Sequence, residues 1–126
     1  MLILHLDDDP DIRIITKYAL VDFGSHEVVQ GENGRSGIEA LEGGLRPDLY
    51  LLDVMMPDMG GEEFLAIVRA RPEWSAPPAI FMTARAQDKE LALLRTKWDA
   101  GVIVKPFEPM SLSKRIEDMV SSGLKD

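Results

Sequence analysis

Four short apolar runs stop abruptly at polar residues, and this constrains the chain more than any other feature. Tyr50-Leu51-Leu52 stops at Asp53, and Leu2-Ile3-Leu4-His5-Leu6 stops at Asp7-Asp8-Asp9. Ala79-Ile80-Phe81-Met82 stops at Thr83, and Val102-Ile103-Val104 stops at Lys105. The runs are too short for helices, and their continuous apolarity is that of strands buried on both faces. Open α/β sheets bind ligands outside the carboxyl ends of their strands. The carboxylates, the hydroxyl and the ammonium group would therefore share one crevice.

The intervening segments read as helices. Asp9 is the natural N-cap of the first, with Pro10 at the first helical position and Asp11 favoured by the helix dipole. Ile12, Ile15, Ala19 and Leu20 form its inward stripe to about Asp22, where Phe23-Gly24 ends it. Residues 27–30 make a short second strand and residues 34–42 a helix carrying Ile38 and Leu41. Gly43-Gly44 and Arg46-Pro47 form the turn into a strand over 48–52. Gly60-Gly61 reads as a flexible loop before a helix over 62–70 that buries Phe64, Leu65, Ile67 and Val68, closed by Arg71-Pro72. Strand four covers 79–82, and a helix over about 87–97 buries Leu91 and Leu94. Strand five covers 101–104. Pro109 opens a last helix with Leu112, Ile116, Met119 and Val120 inward, ending near Gly123. Five strands alternating with five helices imply an α/β fold whose parallel sheet is covered on both faces by right-handed crossovers.

With 126 residues and no repeat or linker, the chain is expected to be a single domain over residues 1–126, burying roughly two thirds of its unfolded surface. The absence of cysteine excludes disulfides and thiolate metal sites. No stretch approaches the roughly 20 apolar residues of a membrane span, and the apolar start is too short for a signal peptide. No membrane association is expected, and the expected location is cytoplasmic. A net charge of −8 argues against direct nucleic-acid binding, which needs clustered Lys and Arg.

Capping accounts for Asp9, Pro10 and Asp11, but Asp7 and Asp8 precede the cap and serve no evident structural purpose. His5 and His26 lack partners at metal-binding spacing and read as structural. Thr83 or Lys105 alone would be an ordinary strand-end residue. The methionines and aromatics read chiefly as filler.

Four motifs in order resemble the receiver domain of two-component response regulators. They are Leu6-Asp7-Asp8-Asp9-Pro10, Leu52-Asp53-Val54-Met55-Met56-Pro57, Phe81-Met82-Thr83-Ala84 and Val104-Lys105-Pro106-Phe107. The resemblance covers essentially the whole chain and implies a flavodoxin-like (βα)5 three-layer sandwich of strand order 2-1-3-4-5. It implies that Asp53 is phosphorylated, that Asp8, Asp53 and the Met55 main-chain carbonyl bind Mg2+, and that Asp7 holds the ion through water. Thr83, Ala84 and Lys105 would contact the phosphoryl group, and the Lys105-Pro106 peptide would be cis. The implied donor is a sensor histidine kinase or a histidine phosphotransfer protein. The implied effector docks on the helix 4, strand 5 and helix 5 face of what would be a stand-alone receiver.

The residue types suit that chemistry. Two carboxylates about 4 Å apart repel by roughly 4 kcal/mol at an effective dielectric near 20, so Asp7, Asp8 and Asp53 together need a cation. Mg2+ favours all-oxygen sites. Lys105 and the ion would neutralise charge on the transferring phosphoryl group, while Asp53 serves as nucleophile without a general base. Ala84 would leave room for the phosphate.

The chain also departs from the family. Val102 stands where an aromatic usually switches, and Trp98-Asp99-Ala100-Gly101 replaces a Gly-Ala-rich turn. Met55 and Arg85, two residues beyond Asp53 and Thr83, are poor bases toward water, which implies slow self-dephosphorylation. Three other functions compete. A haloacid-dehalogenase-type phosphatase would need an acid where Met55 stands. A flavodoxin-like electron carrier would need a Ser/Thr/Gly-rich phosphate loop where the three aspartates lie. A pseudo-receiver that only binds partners would have no use for the intact acid set.

Overall fold

The computed structural model describes residues 1–84 and 87–124. Strands β1 (Leu2–Leu6), β2 (Glu27–Gly31), β3 (Leu49–Asp53), β4 (Ala79–Thr83) and β5 (Gly101–Val104) form a parallel sheet in the order β2-β1-β3-β4-β5. The expected flavodoxin-like order is thus the observed one. Helices α1 (Pro10–Lys17), α2 (Gly34–Glu42), α3 (Gly61–Arg69), α4 (Asp88–Trp98) and α5 (Pro109–Ser121) connect the strands or follow the last. No helix among the described residues is long and apolar enough to cross a membrane.

Strand alternation divides the core in two. On one face, Leu4, Leu6, Tyr50, Leu52, Phe81 and Val102 pack against α2, α3 and α4 through Leu41, Phe64, Leu65, Val68, Leu91 and Leu94. On the other, Ile3, Leu49, Leu51, Ile80, Met82 and Ile103 pack against the turn that continues α1, through Ala19 and Leu20, and against α5, through Leu112, Ile116 and Met119. β3 and β4 are buried at every position, as their unbroken apolar runs require.

Three local expectations need correction. α1 passes into a π-helical turn over Tyr18–Asp22, and the inward positions are Thr16, Ala19 and Leu20. Ile15 flanks that stripe and is 39% exposed, so it does not join the core. Gly60-Gly61 is also not a flexible loop. Gly60 is the N-cap of α3, and a Cβ on Gly61 would lie 2.2 Å from the Asp53 carbonyl oxygen. Glycine is needed there for close backbone approach. The third correction concerns Asp7, whose structural use is described with the site.

Candidate functional site

The β1–α1 turn is built from its acids. Asp9 caps α1 through Oδ1, which accepts from the amides of Asp11 at 2.9 Å and Ile12 at 3.4 Å. Pro10 follows at the helix start. Asp7 is fully buried, and its Oδ1 accepts from the Asp9 amide at 3.0 Å. Asp7 therefore has a structural use after all, because its carboxylate ties down the turn that carries Asp8. Asp8 itself is exposed.

Asp53 ends β3 and is 8% exposed. Its Oδ1 accepts from the Val54 amide at 2.8 Å, and the Gly61 amide at the start of α3 donates to the Val54 carbonyl at 3.0 Å. Ligand atoms of Asp7, Asp8 and Asp53 all lie within 4.8 Å of one another. Lys105 follows β5 and completes the group. Its Nζ lies 2.8 Å from Asp7 Oδ2 and 3.4 Å from Asp53 Oδ2, and its amide donates to the Thr83 carbonyl at 2.8 Å. The Lys105-Pro106 peptide is cis. Thr83 is 2% exposed at the end of β4, Ala84 beyond it is exposed, and Met55 follows β3 with its side chain in solvent. All four strand ends thus meet at one rim. Arg85 lies outside the described residues.

The electrostatics follow from the crowding. Burial, reinforced by the Asp7 charge, pushes the Asp53 carboxyl up to about 6 against the pull of Lys105 and the Val54 amide. Burial pulls the Lys105 ammonium down, but its hydrogen bonds and charge contacts with Asp7 and Asp53 prevail, and its pKa is raised overall. One ammonium among three carboxylates leaves two negative charges uncompensated. An all-oxygen donor set with that surplus fits a small hard divalent cation such as Mg2+.

His5 is fully buried beneath this site. Gln30 Nε2 donates to its Nδ1 at 3.1 Å, and burial holds the ring neutral by lowering its pKa to about 4. His26 bridges elements, with Nδ1 3.0 Å from the Met1 amino nitrogen and Nε2 2.7 Å from Glu117 Oε2. Both histidines thus tie neighbouring parts of the chain together.

Away from the acids, Val102 is 1% exposed. Trp98, at the end of α4, packs against the same cluster and donates from Nε1 to Glu62 Oε1 at 2.9 Å. The turn into β5 depends on Asp99, whose φ of 50° is left-handed. Sequence reasoning missed this cross-helix tie, the Val54 amide on Asp53, and the Arg13 and Gln30 contacts on the β1–α1 turn. Only the indole at Trp98, whose N–H demands a partner when half-buried, offered any prior signal.

A flavodoxin-like sheet that gathers acids and a lysine at its carboxyl edge defines the class of fold and site, and comparison with known proteins specifies the family. The family model described as "Response regulator receiver domain" matches residues 3–117. The chemotaxis protein CheY homolog of Campylobacter jejuni is 32% identical over 126 residues, covering 98% of this chain and 95% of that protein. An uncharacterized 14.6 kDa protein of Leptolyngbya boryana is 36% identical over 118 residues, covering 93% of this chain and 88% of that one. The structure of the chemotaxis response regulator CheY4 of Vibrio cholerae superposes with a TM-score of 0.81 at 30% identity, covering 93% of this chain and 96% of that one. The chain belongs to the response regulator receiver family and is CheY-like.

Proposed function

We propose that Asp53 accepts a phosphoryl group from a phosphohistidine on a sensor histidine kinase or histidine phosphotransfer protein, in a cytoplasmic two-component system or phosphorelay. The observation that carries this reading is the Lys105 ammonium between two carboxylates, 2.8 Å from Asp7 and 3.4 Å from Asp53, with Asp8 in reach.

In the step itself, an Asp53 carboxylate oxygen attacks phosphorus in line while the P–N bond to the donor breaks. The electron pair returns to the imidazole, and an acyl phosphate is left on Asp53. The carboxylate needs no base, but it must be ionised. Lys105 supplies fixed positive charge beside the transferring oxygens, where catalysis of phosphoryl transfer obtains most of its effect. The Val54 amide orients Asp53 through Oδ1. Thr83 offers a hydroxyl at the neighbouring strand end, and Ala84 adds no bulk there. Asp8, Asp53 and the Met55 main-chain carbonyl would hold Mg2+ directly and Asp7 through water, and the bound ion would neutralise charge shared by acceptor and phosphate.

Loss of the phosphoryl group is expected to be slow, because neither Met55 nor Arg85 is a base toward water. No separate enzymatic turnover is proposed. Phosphorylation would bias the β4–α4 region between two arrangements, and an effector would read the result on α4, β5 and α5.

The test is to incubate the protein with Mg2+ and acetyl phosphate and follow its mass. Wild type should gain one phosphoryl group and Asp53→Asn none. Equal labelling of both proteins, or of neither, removes Asp53 from the role.

A further inference from the structure

We infer that Gln30 and Arg13 form a brace that positions the β1–α1 acidic turn for divalent-cation binding; this rests on the metal-assisted reading of the site given above. Besides its amide, which donates to the Gly31 carbonyl at 3.1 Å, Asp7 is held at three further atoms. Two of the contacts are local to the site, from the Asp9 amide to Oδ1 at 3.0 Å and from Lys105 Nζ to Oδ2 at 2.8 Å. The third comes from the next element, where Arg13 Nη1 on α1 donates to the Asp7 carbonyl at 2.7 Å.

Arg13 is itself fastened. Gln30 Nε2, at the end of β2, donates to the Arg13 carbonyl at 2.8 Å and also reaches His5 Nδ1 at 3.1 Å. His5 on β1 and Asp7 just beyond it lie two residues apart, so the contacts close a loop through β1, β2 and α1. Each contact has its own acceptor, and Gln30 donates both amide hydrogens of one nitrogen.

Ordering two long side chains is entropically unfavourable. A surface decoration would not fix them at both ends. This brace ends at the main chain of the acidic turn, and it can set where Asp8 stands relative to Asp53. Groups behind a metal's ligands commonly act by fixing those ligands in this way.

The two roles open to Arg13 have opposite signs. As a bare positive charge beside the acids it weakens cation binding, and as a brace it strengthens it. Gln30 carries no charge, so Gln30→Met isolates the positioning part. Titration with Mn2+, read by electron paramagnetic resonance as a stand-in for Mg2+, should show affinity lower by about tenfold, the lower end for groups behind a metal's ligands.

Phosphorylation by acetyl phosphate should need correspondingly more Mg2+ but regain the wild-type rate at saturation. A purely structural role would lower the melting temperature without moving the metal titration. Arg13→Lys, which keeps the charge and one donor, should bind Mn2+ more tightly than Arg13→Met. If Gln30→Met does not fold, Gln30→Asn, one methylene short of the Arg13 carbonyl, is read in the same titration.

Unchanged Mn2+ affinity in the Gln30 variant overturns the brace alone. Failure of wild type to bind Mn2+ overturns the brace together with the metal-assisted reading of the site.

Discussion

The two faces of the sheet are made of the same five strands and do different work. Toward α2, α3 and α4 the strands present bulk until Thr83 at the end of β4, with Tyr50, Phe64 and Phe81 completely buried and Trp74 nearly so. Toward α1 and α5 the strands are aliphatic near their starts, but by two-residue alternation they end in His5, Asp7, Asp53 and Lys105. A deep polar contact on the first face runs from the Tyr50 hydroxyl to the Trp74 carbonyl at 2.7 Å. The second contains a network in which each group depends on the next. Bulk tolerates exchange so long as volume is kept, whereas a buried polar network fails when one member goes. Stability and chemistry are therefore expected to respond to different substitutions.

The largest expected effect lies on the apolar face. Phe81→Ala removes a fully buried ring from the centre of the sheet and should cost about 3–5 kcal/mol, read from chemical denaturation. Where the variant remains folded, its Asp53 should still be labelled by acetyl phosphate. A stable but unlabelled Phe81→Ala protein would break the division between the faces.

A second prediction concerns two buried groups on the polar face that titrate in opposite senses. His5 has its folded pKa lowered from 6.5 to about 4, so the unfolded chain takes the proton first. The stability this lends is present above pH 6.5 and lost as pH falls toward 4. Asp53 has its folded pKa raised from 3.8 to about 6, so its contribution is full below pH 3.8 and lost as pH rises through 6. Each gap corresponds to about 3 kcal/mol, and in the metal-free wild type the two largely offset. Asp53→Asn removes one side of the balance. Relative to wild type, its advantage in stability should grow by about 3 kcal/mol between pH 4 and pH 6.5, measured by urea denaturation without divalent ions. A constant difference across that range would show that Asp53 is not desolvated beside Asp7.

Which parts were legible in the sequence follows the same division. Strand ends were readable because a buried parallel strand is a continuous apolar run, and the residue that ends it is conspicuous. Asp53, Thr83 and Lys105 were found that way, and Asp9 was found because an N-cap acts on amides two and three residues on. Contacts set by tertiary approach were not readable. Gly61 looks like any loop glycine until the Asp53 carbonyl is placed against it. Gln30 lies 17 residues from Arg13, and no local pattern connects them. Ile15 was misread because it is apolar and its neighbour is not: the inward positions 12, 16, 19 and 20 keep ordinary helical spacing, and one of them is a threonine. That Trp98 packs on the same cluster as Val102 and is held by Glu62 shows only in the structure.

The smallest predicted stability effect separates adjacent aspartates that look alike in sequence. Asp9 caps α1 through its side chain but serves Asp7 only through its backbone amide. Asp9→Ala should therefore cost about 1 kcal/mol of stability, while cation binding and phosphorylation persist, because the amide remains. Asp8 is exposed, with a carboxylate oxygen near those of Asp7 and Asp53. Asp8→Ala should change stability by no more than about 0.5 kcal/mol yet abolish saturable Mg2+ binding, measured by isothermal titration calorimetry. The pair reverses the ordinary association between stability and function, since the variant that melts earlier is the one that keeps its chemistry. If Asp8→Ala instead binds Mg2+ as wild type does, the acids of this rim serve the turn rather than an ion, and the polar face would be structural like the apolar one.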